Sequence, residues 1–145
     1  MEKLMICPKS KGNTYDVCRY VADHADVLVE VASASTQIDV EDFDVIVLAS
    51  GIYGGNLHKN IYNWVKTIKK EDLKADVKIY LFLTWLGRSD SDQTAYKTLK
   101  ELLAEKGIAL EEDYMECYGK AFGFVKTGHP NEEDFSKVLS WVENL

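Results

Sequence analysis

The sequence predicts a doubly wound α/β domain, one five-stranded parallel sheet in the order 2-1-3-4-5 with helices on both faces, formed by residues 1–145 as a single unit. Three observations carry this expectation. Apolar, β-branched runs alternate with amphipathic helical stretches along the whole chain, without repeats, linkers or low-complexity tracts. Val45-Ile46-Val47-Leu48-Ala49-Ser50 is an almost unbroken apolar run, the mark of a strand covered on both faces. Parallel neighbours need crossovers, and crossovers are right-handed, so the strand–helix alternation folds into layers. A chain of 145 residues buries roughly two-thirds of its unfolded surface and leaves no room for a second domain.

The elements follow in order. Leu4 to Cys7 is the first strand, and a helix runs from about Asn13 to His24. Val27-Leu28-Val29-Glu30-Val31 is a short second strand, and the polar connector Asp39 to Asp44 leads into the central strand at Val45. Gly51-Ile52-Tyr53-Gly54-Gly55-Asn56 reads as a loop. From Leu57 to Lys70, the residues Leu57, Ile61, Trp64, Val65 and Ile68 recur at helical steps. Lys78 to Thr84 is the fourth strand, and a helix from about Thr94 to Glu105 stops at the C-terminal cap Gly107. The fifth strand lies within Leu110 to Cys117, a Gly-rich loop spans Tyr118 to Pro130, and Asn131 caps a last helix with acids in its first turn.

In this strand order the first and third strands flank the reversal point, so the loops after Cys7, Ser50 and Thr84 converge at the carboxyl ends of the strands. The first, Lys9-Ser10-Lys11-Gly12-Asn13-Thr14, offers hydroxyls, an amide, a residue without Cβ and two cations. The first N–H groups of a helix have no intrahelical partner, so a phosphate placed there meets several donors. Charged hydrogen bonds of about 1.5–3 kcal/mol each outweigh the dipole's ~0.3–1 kcal/mol. The same residues also form an ordinary strand-to-helix turn with Asn13 or Thr14 as N-cap. The second loop joins the aromatic plate of Tyr53 to Ser50, Gly51, Ile52, Gly54, Gly55 and Asn56, and the third supplies Thr84, Trp85, Leu86 and Gly87 with donors at Arg88 and Ser89. An exposed tyrosine stacks on a flat ring for about 0.5–1.5 kcal/mol beyond area burial.

At these residues the chain resembles the flavodoxin family, whose first loop reads close to Ser/Thr-x-Thr-Gly-x-Thr. Gly12, Asn13 and Thr14 match, while Lys9 and Lys11 stand where the family has hydroxyls. The resemblance extends through Tyr96 to Gly107, Glu116-Cys117-Tyr118-Gly119 and Gly128-His129-Pro130-Asn131, segments similar to short-chain flavodoxin-like proteins of anaerobes. It implies non-covalently bound flavin mononucleotide (FMN), held by the three loops, and single-electron shuttling at low potential with redox partners such as ferredoxin-type reductases or oxidoreductases. The family's redox-linked peptide flip maps onto Tyr53-Gly54 or Gly54-Gly55. Ala49 to His58 is also similar to flavodoxin-type protoporphyrinogen oxidase, so an FMN-dependent quinone or porphyrinogen oxidoreductase is the rival, followed by a flavin-free regulatory domain.

A formal net charge of −7 repels nucleic acid and suits partners with basic docking surfaces. No apolar run approaches a membrane span and the N-terminus lacks a signal-peptide pattern, so the expectation is a cytoplasmic monomer. Cys7, Cys18 and Cys117 are far apart in sequence with no CxxC, and His24, His58 and His129 share no metal spacing, so buried thiols and capping or solvated histidines are expected. Trp64 and Trp141 fall at core positions of their helices, whereas Trp85 fits either core or cleft. Patterns for a nucleophilic Ser, a dinucleotide loop and a P-loop are absent, so no catalytic residue is assigned.

Overall fold

A computed structural model describes residues 1–33, 37–87, 89–119 and 128–145. Arg88, expected among the donors of the third loop, and residues 120–127 of the expected Gly-rich loop lie outside the described residues. The element order is β1 (Lys3–Cys7), α1 (Asn13–His24), β2 (Leu28–Val31), β3 (Val45–Tyr53), β4 (Asn56–Leu57), α2 (Lys59–Thr67), β5 (Lys78–Trp85), α3 (Ser91–Ala104), β6 (Met115–Tyr118) and α4 (Glu132–Glu143). The sheet runs β2-β1-β3-β5-β6 with every pair on that path parallel, and β4 pairs antiparallel with β3 alone. Setting the short β4 aside, this is the expected 2-1-3-4-5 order.

Strand side chains alternate between faces, and the two cores follow from that period. Leu4, Ile6, Ile46, Leu48, Ile79, Leu81 and Leu83 pack under α2 and α3 against Ile61, Trp64, Val65, Leu99 and Leu103. Met5, Cys7, Val45, Val47, Ala49, Tyr80 and Phe82 take the other face, covered by Val17, Cys18 and Val21 of α1 and Val138 and Val142 of α4. Cys7 and Cys18 both lie in this second core, where the Cys7 thiol donates to the Glu30 carbonyl at 3.6 Å; all three cysteines are buried and unbridged.

Element ends are set by identifiable chemistry. At the end of α3, Ile108 N–H bonds to the Leu103 carbonyl and Gly107 N–H to that of Ala104, both at 3.0 Å, with Gly107 at φ 76°. That is the crossed pair of bonds by which a left-handed glycine closes a helix. Helix α2 is shorter than its apolar periodicity suggests, because Leu57 belongs to β4 and Ile68 already has extended geometry; both remain buried. At the start of α4, Asn131 accepts from Asp134 N–H at 3.0 Å while Asp134 accepts from Asn131 N–H at 2.9 Å. Replacing Asn131 with alanine is expected to cost about 1 kcal/mol, seen in thermal melts as a fall of about 2–4 °C.

Candidate functional site

A cleft of about 530 Å³ opens at the carboxyl ends of β1, β3 and β5, within the ~300–1,000 Å³ common for cofactor sites. Of the residues expected there, Lys9, Lys11, Gly12, Asn13, Thr14, Gly51, Ile52, Tyr53, Gly54, Thr84, Trp85 and Leu86 line it, joined by Pro8 and Gly119. The structure thus brings all three loops to one place.

At one end of the cleft, Gly12 precedes α1 with φ 96° and ψ −176° and no side chain caps the helix. These angles belong to a region nearly exclusive to glycine. The amides of the first turn have no intrahelical acceptor and point with the positive end of the dipole. Lys9 folds back toward this turn, its Cε placed 3.6 Å from where a Cβ on Gly12 would sit. Thr14 Oγ1 and Thr84 Oγ1 lie 2.8 Å apart in a buried contact that ties α1 to the end of β5. Asn60 Nδ2 donates to the Pro8 carbonyl at 2.9 Å, holding the start of α2 against the first loop.

The other end is aromatic and apolar. Tyr53 is 51% exposed, and its ring rests over Gly51, where an added Cβ would lie 3.1 Å from the phenol oxygen. His58 meets that ring edge-on at 5.7 Å between centroids. His58 Nδ1 accepts from Asn60 N–H at 3.0 Å, which fixes it as the neutral Nε2–H form. Burial, with Lys9 and Lys59 nearby, pushes the imidazole below its usual value. This contribution to stability is complete above the ordinary histidine pKa and is lost as pH falls below it. Gly119 packs so tightly that a Cβ there would approach Asn13 Nδ2 to 2.6 Å. Among the described residues no carboxylate lines the cleft, and the charged residues lining it are Lys9 and Lys11.

Ser10, Ser50, Gly55, Asn56 and Gly87 lie outside the lining. Ser50 is buried, with Oγ donating to the Gly51 carbonyl at 2.7 Å and accepting from His58 N–H at 2.9 Å, so it organises backbone. Gly51, Ile52 and Tyr53 are strand, a correction of the loop expected there. The turn is Gly54-Gly55, at φ 59° and 83°, and Asn56 pairs back with Tyr53 as β4. Gly87, at φ 75°, packs against Tyr118, whose ring would meet an added Cβ at 2.5 Å. Pro8, Asn60, His58 and Gly119 escaped the sequence reading as contributors; Gly119 alone carried a signal, a glycine directly after the last strand at the carboxyl edge. Among the described residues no group of His, Cys, Asp and Glu is placed to hold a metal, and no helix is long and apolar enough to cross a membrane.

Comparison with known proteins gives a consistent picture. Residues 5–120 match the profile of the family described as flavodoxin domain. An uncharacterized protein of Methanocaldococcus jannaschii is 29% identical over 140 residues, covering 92% of this chain and 89% of its own. Oxidised flavodoxin 1 from Bacillus cereus superposes with a TM-score of 0.66 at 21% identity, covering 100% of this chain and 99% of that one. A flavoprotein from Lactobacillus acidophilus, solved in complex with FMN, superposes with a TM-score of 0.63 at 12% identity over 79% of this chain and 92% of its own.

Proposed function

The chain belongs to the flavodoxin domain family, and from that premise we propose that it binds FMN non-covalently in the cleft and carries single electrons between protein partners. The observation that carries this reading is one cleft that holds both the uncapped start of α1 at Gly12 and the half-exposed ring of Tyr53. The residues present fit the nucleotide. A phosphate at the start of α1 would meet first-turn amides, with Lys9 and Lys11 neutralising its charge. The isoalloxazine ring would lie beside Tyr53, with Trp85, Leu86 and Ile52 supplying apolar contact.

Bound FMN supplies the one-electron chemistry, and the chain's own residues bind, orient and tune it. Tyr53, braced by the edge of His58, sets the plane of the ring. Gly54 and Gly55, at the exposed hairpin turn, give the peptide groups beside the ring freedom to reorient. The apolar wall and the net charge of −7 disfavour added negative charge on the ring, because an anion in a poorly solvated site costs more. A low reduction potential follows. Partner reductases would approach with basic surfaces, and the protein would act as a monomer.

Spectroelectrochemical titration of the FMN-loaded protein tests this. Midpoint potentials well below those of free FMN, with reduction by a ferredoxin-type reductase, are expected. Potentials near the free cofactor, or steady-state turnover with a quinone, would overturn the carrier reading in favour of an enzyme.

A further inference from the structure

Outside the cleft lining, a cluster of ionisable groups lies at the start of α3. Asp92, in the first turn of α3, is 7% exposed and accepts from the Tyr114 hydroxyl at 3.0 Å. The carboxyl of Glu116 on β6 neighbours that of Asp92, which after burial is the main influence raising it. Two ionised carboxylates offer each other only acceptors, so they bond only when a proton lies between them. Glu116 Oε2 is sealed from solvent and meets no donor among the described residues. The cation from α4, Lys137, donates to the Glu116 main-chain carbonyl at 3.2 Å. Tyr96 of α3 stacks on Tyr114 at 5.1 Å and closes the cluster. Burial and Asp92 push the Glu116 carboxyl up to about 7, and burial with the bond to Asp92 pushes Tyr114 up to about 12, so the tyrosine remains a donor throughout the neutral range.

The position of the cluster gives it reach. Asp92 belongs to the helix that follows β5, whose last residue Trp85 lines the cleft, and Glu116 sits opposite Leu83 on that strand. Farther along that ladder Trp85 pairs with Tyr118, and the Trp85 carbonyl accepts from Gly119 N–H at 3.0 Å. The first turn of α3 also packs on the hairpin, with Thr94 Cγ2 3.8 Å from where a Cβ on Gly55 would sit. The strand that ends in this wall is therefore tied to β6, and the hairpin to the first turn of α3.

We propose that Asp92 and Glu116 are positioning residues that share one proton, and that this proton holds α3 against β6 and so keeps the Trp85-Leu86 wall of the cleft in its binding position. The proposal rests on the reading of the cleft as an FMN site. Loss of the proton leaves two neighbouring carboxylates ionised, and their repulsion moves the first turn of α3 and the wall with it. The folded chain holds this proton more tightly than the unfolded one. Its contribution to stability is therefore complete below the ordinary glutamate pKa and is lost as pH rises through about 7.

The test compares the full chain with Glu116→Gln, whose amide is a permanent donor to Asp92, by apo melting temperature and by FMN affinity at pH 6 and pH 8. The wild type is expected to lose at least about fivefold more FMN affinity over this interval than the variant, and its melting temperature should fall more steeply. The variant should keep the wild-type affinity of pH 6 at both values. Parallel slopes for the two proteins, in melting or in affinity, would overturn the proposal. Should Glu116→Gln not fold, Asp92→Asn offers the amide from the α3 side and is judged by the same slopes. Absence of FMN binding at both pH values overturns the flavin reading and the coupling together, while the melting slopes still decide the shared proton.

Discussion

Gly12→Ala is expected to weaken FMN binding by at least about 30-fold while the protein remains folded. The reason is backbone geometry. Among the described residues an added Cβ would find only Lys9 Cε at 3.6 Å, an ordinary contact and not a clash. The conformation itself, φ 96° with ψ −176°, is the obstacle, since a residue with a Cβ held there costs about 1–3 kcal/mol. A domain with about 5–15 kcal/mol of stability survives that cost, either by bearing the strain or by rotating the peptide. Rotation turns first-turn amides away from the phosphate, and each charged hydrogen bond lost removes about 1.5–3 kcal/mol of binding. Gly107→Ala is the control, because Gly107 has a similar φ of 76° but closes α3 outside the cleft lining. It should lower the melting temperature and leave FMN affinity unchanged. Equal affinities for the Gly12 variant and the wild type in a fluorescence titration would refute the phosphate placement.

A second large effect separates two aromatic residues. Trp64 is 7% exposed in the core beneath α2, and Trp64→Ala is expected to cost about 3–5 kcal/mol of stability, lowering the melting temperature by roughly 10 °C. FMN affinity of the folded fraction should not change. Tyr53 is 51% exposed, so Tyr53→Ala should alter stability by less than about 0.5 kcal/mol and yet weaken FMN binding about tenfold, through lost stacking and lost apolar contact. Thermal melts and titrations on both variants check the pair. Equal losses of affinity would show that Tyr53 does not stack on the ring.

The residues that were legible in the sequence were those whose local chemistry agrees with their tertiary role. Helix α1 begins at Asn13 and ends at His24, as its polar start and apolar period require. The unbroken apolar run of β3 marks the sheet centre because both its faces are covered by helices. Asn131 was recognisable as a cap because the acids that follow it suit a helix start. The extension of β3 through Tyr53 was not legible. Gly51 and the Gly54-Gly55 pair look like loop, and only the return of Asn56-Leu57 alongside makes Ile52 and Tyr53 a strand. Ser50 attracts a functional reading as a hydroxyl at a strand end, but its hydrogen bonds are spent on the Gly51 carbonyl and the His58 amide. Asp92 and Glu116 stand on separate elements, and nothing local to either announces their mutual influence. β6, at the sheet edge, shows little alternation of burial, and this explains why its bounds were the least defined.

On the proposed function, the start of α1 takes the phosphate of a flavin nucleotide whose ring lies by Tyr53. Equilibrium titration of the purified apoprotein with FMN and, separately, with riboflavin, which lacks the phosphate, tests it most directly. Two or more charged hydrogen bonds to the phosphate predict that FMN binds at least about 100-fold more tightly than riboflavin. Equal affinities for the two, or no binding of FMN, would contradict it.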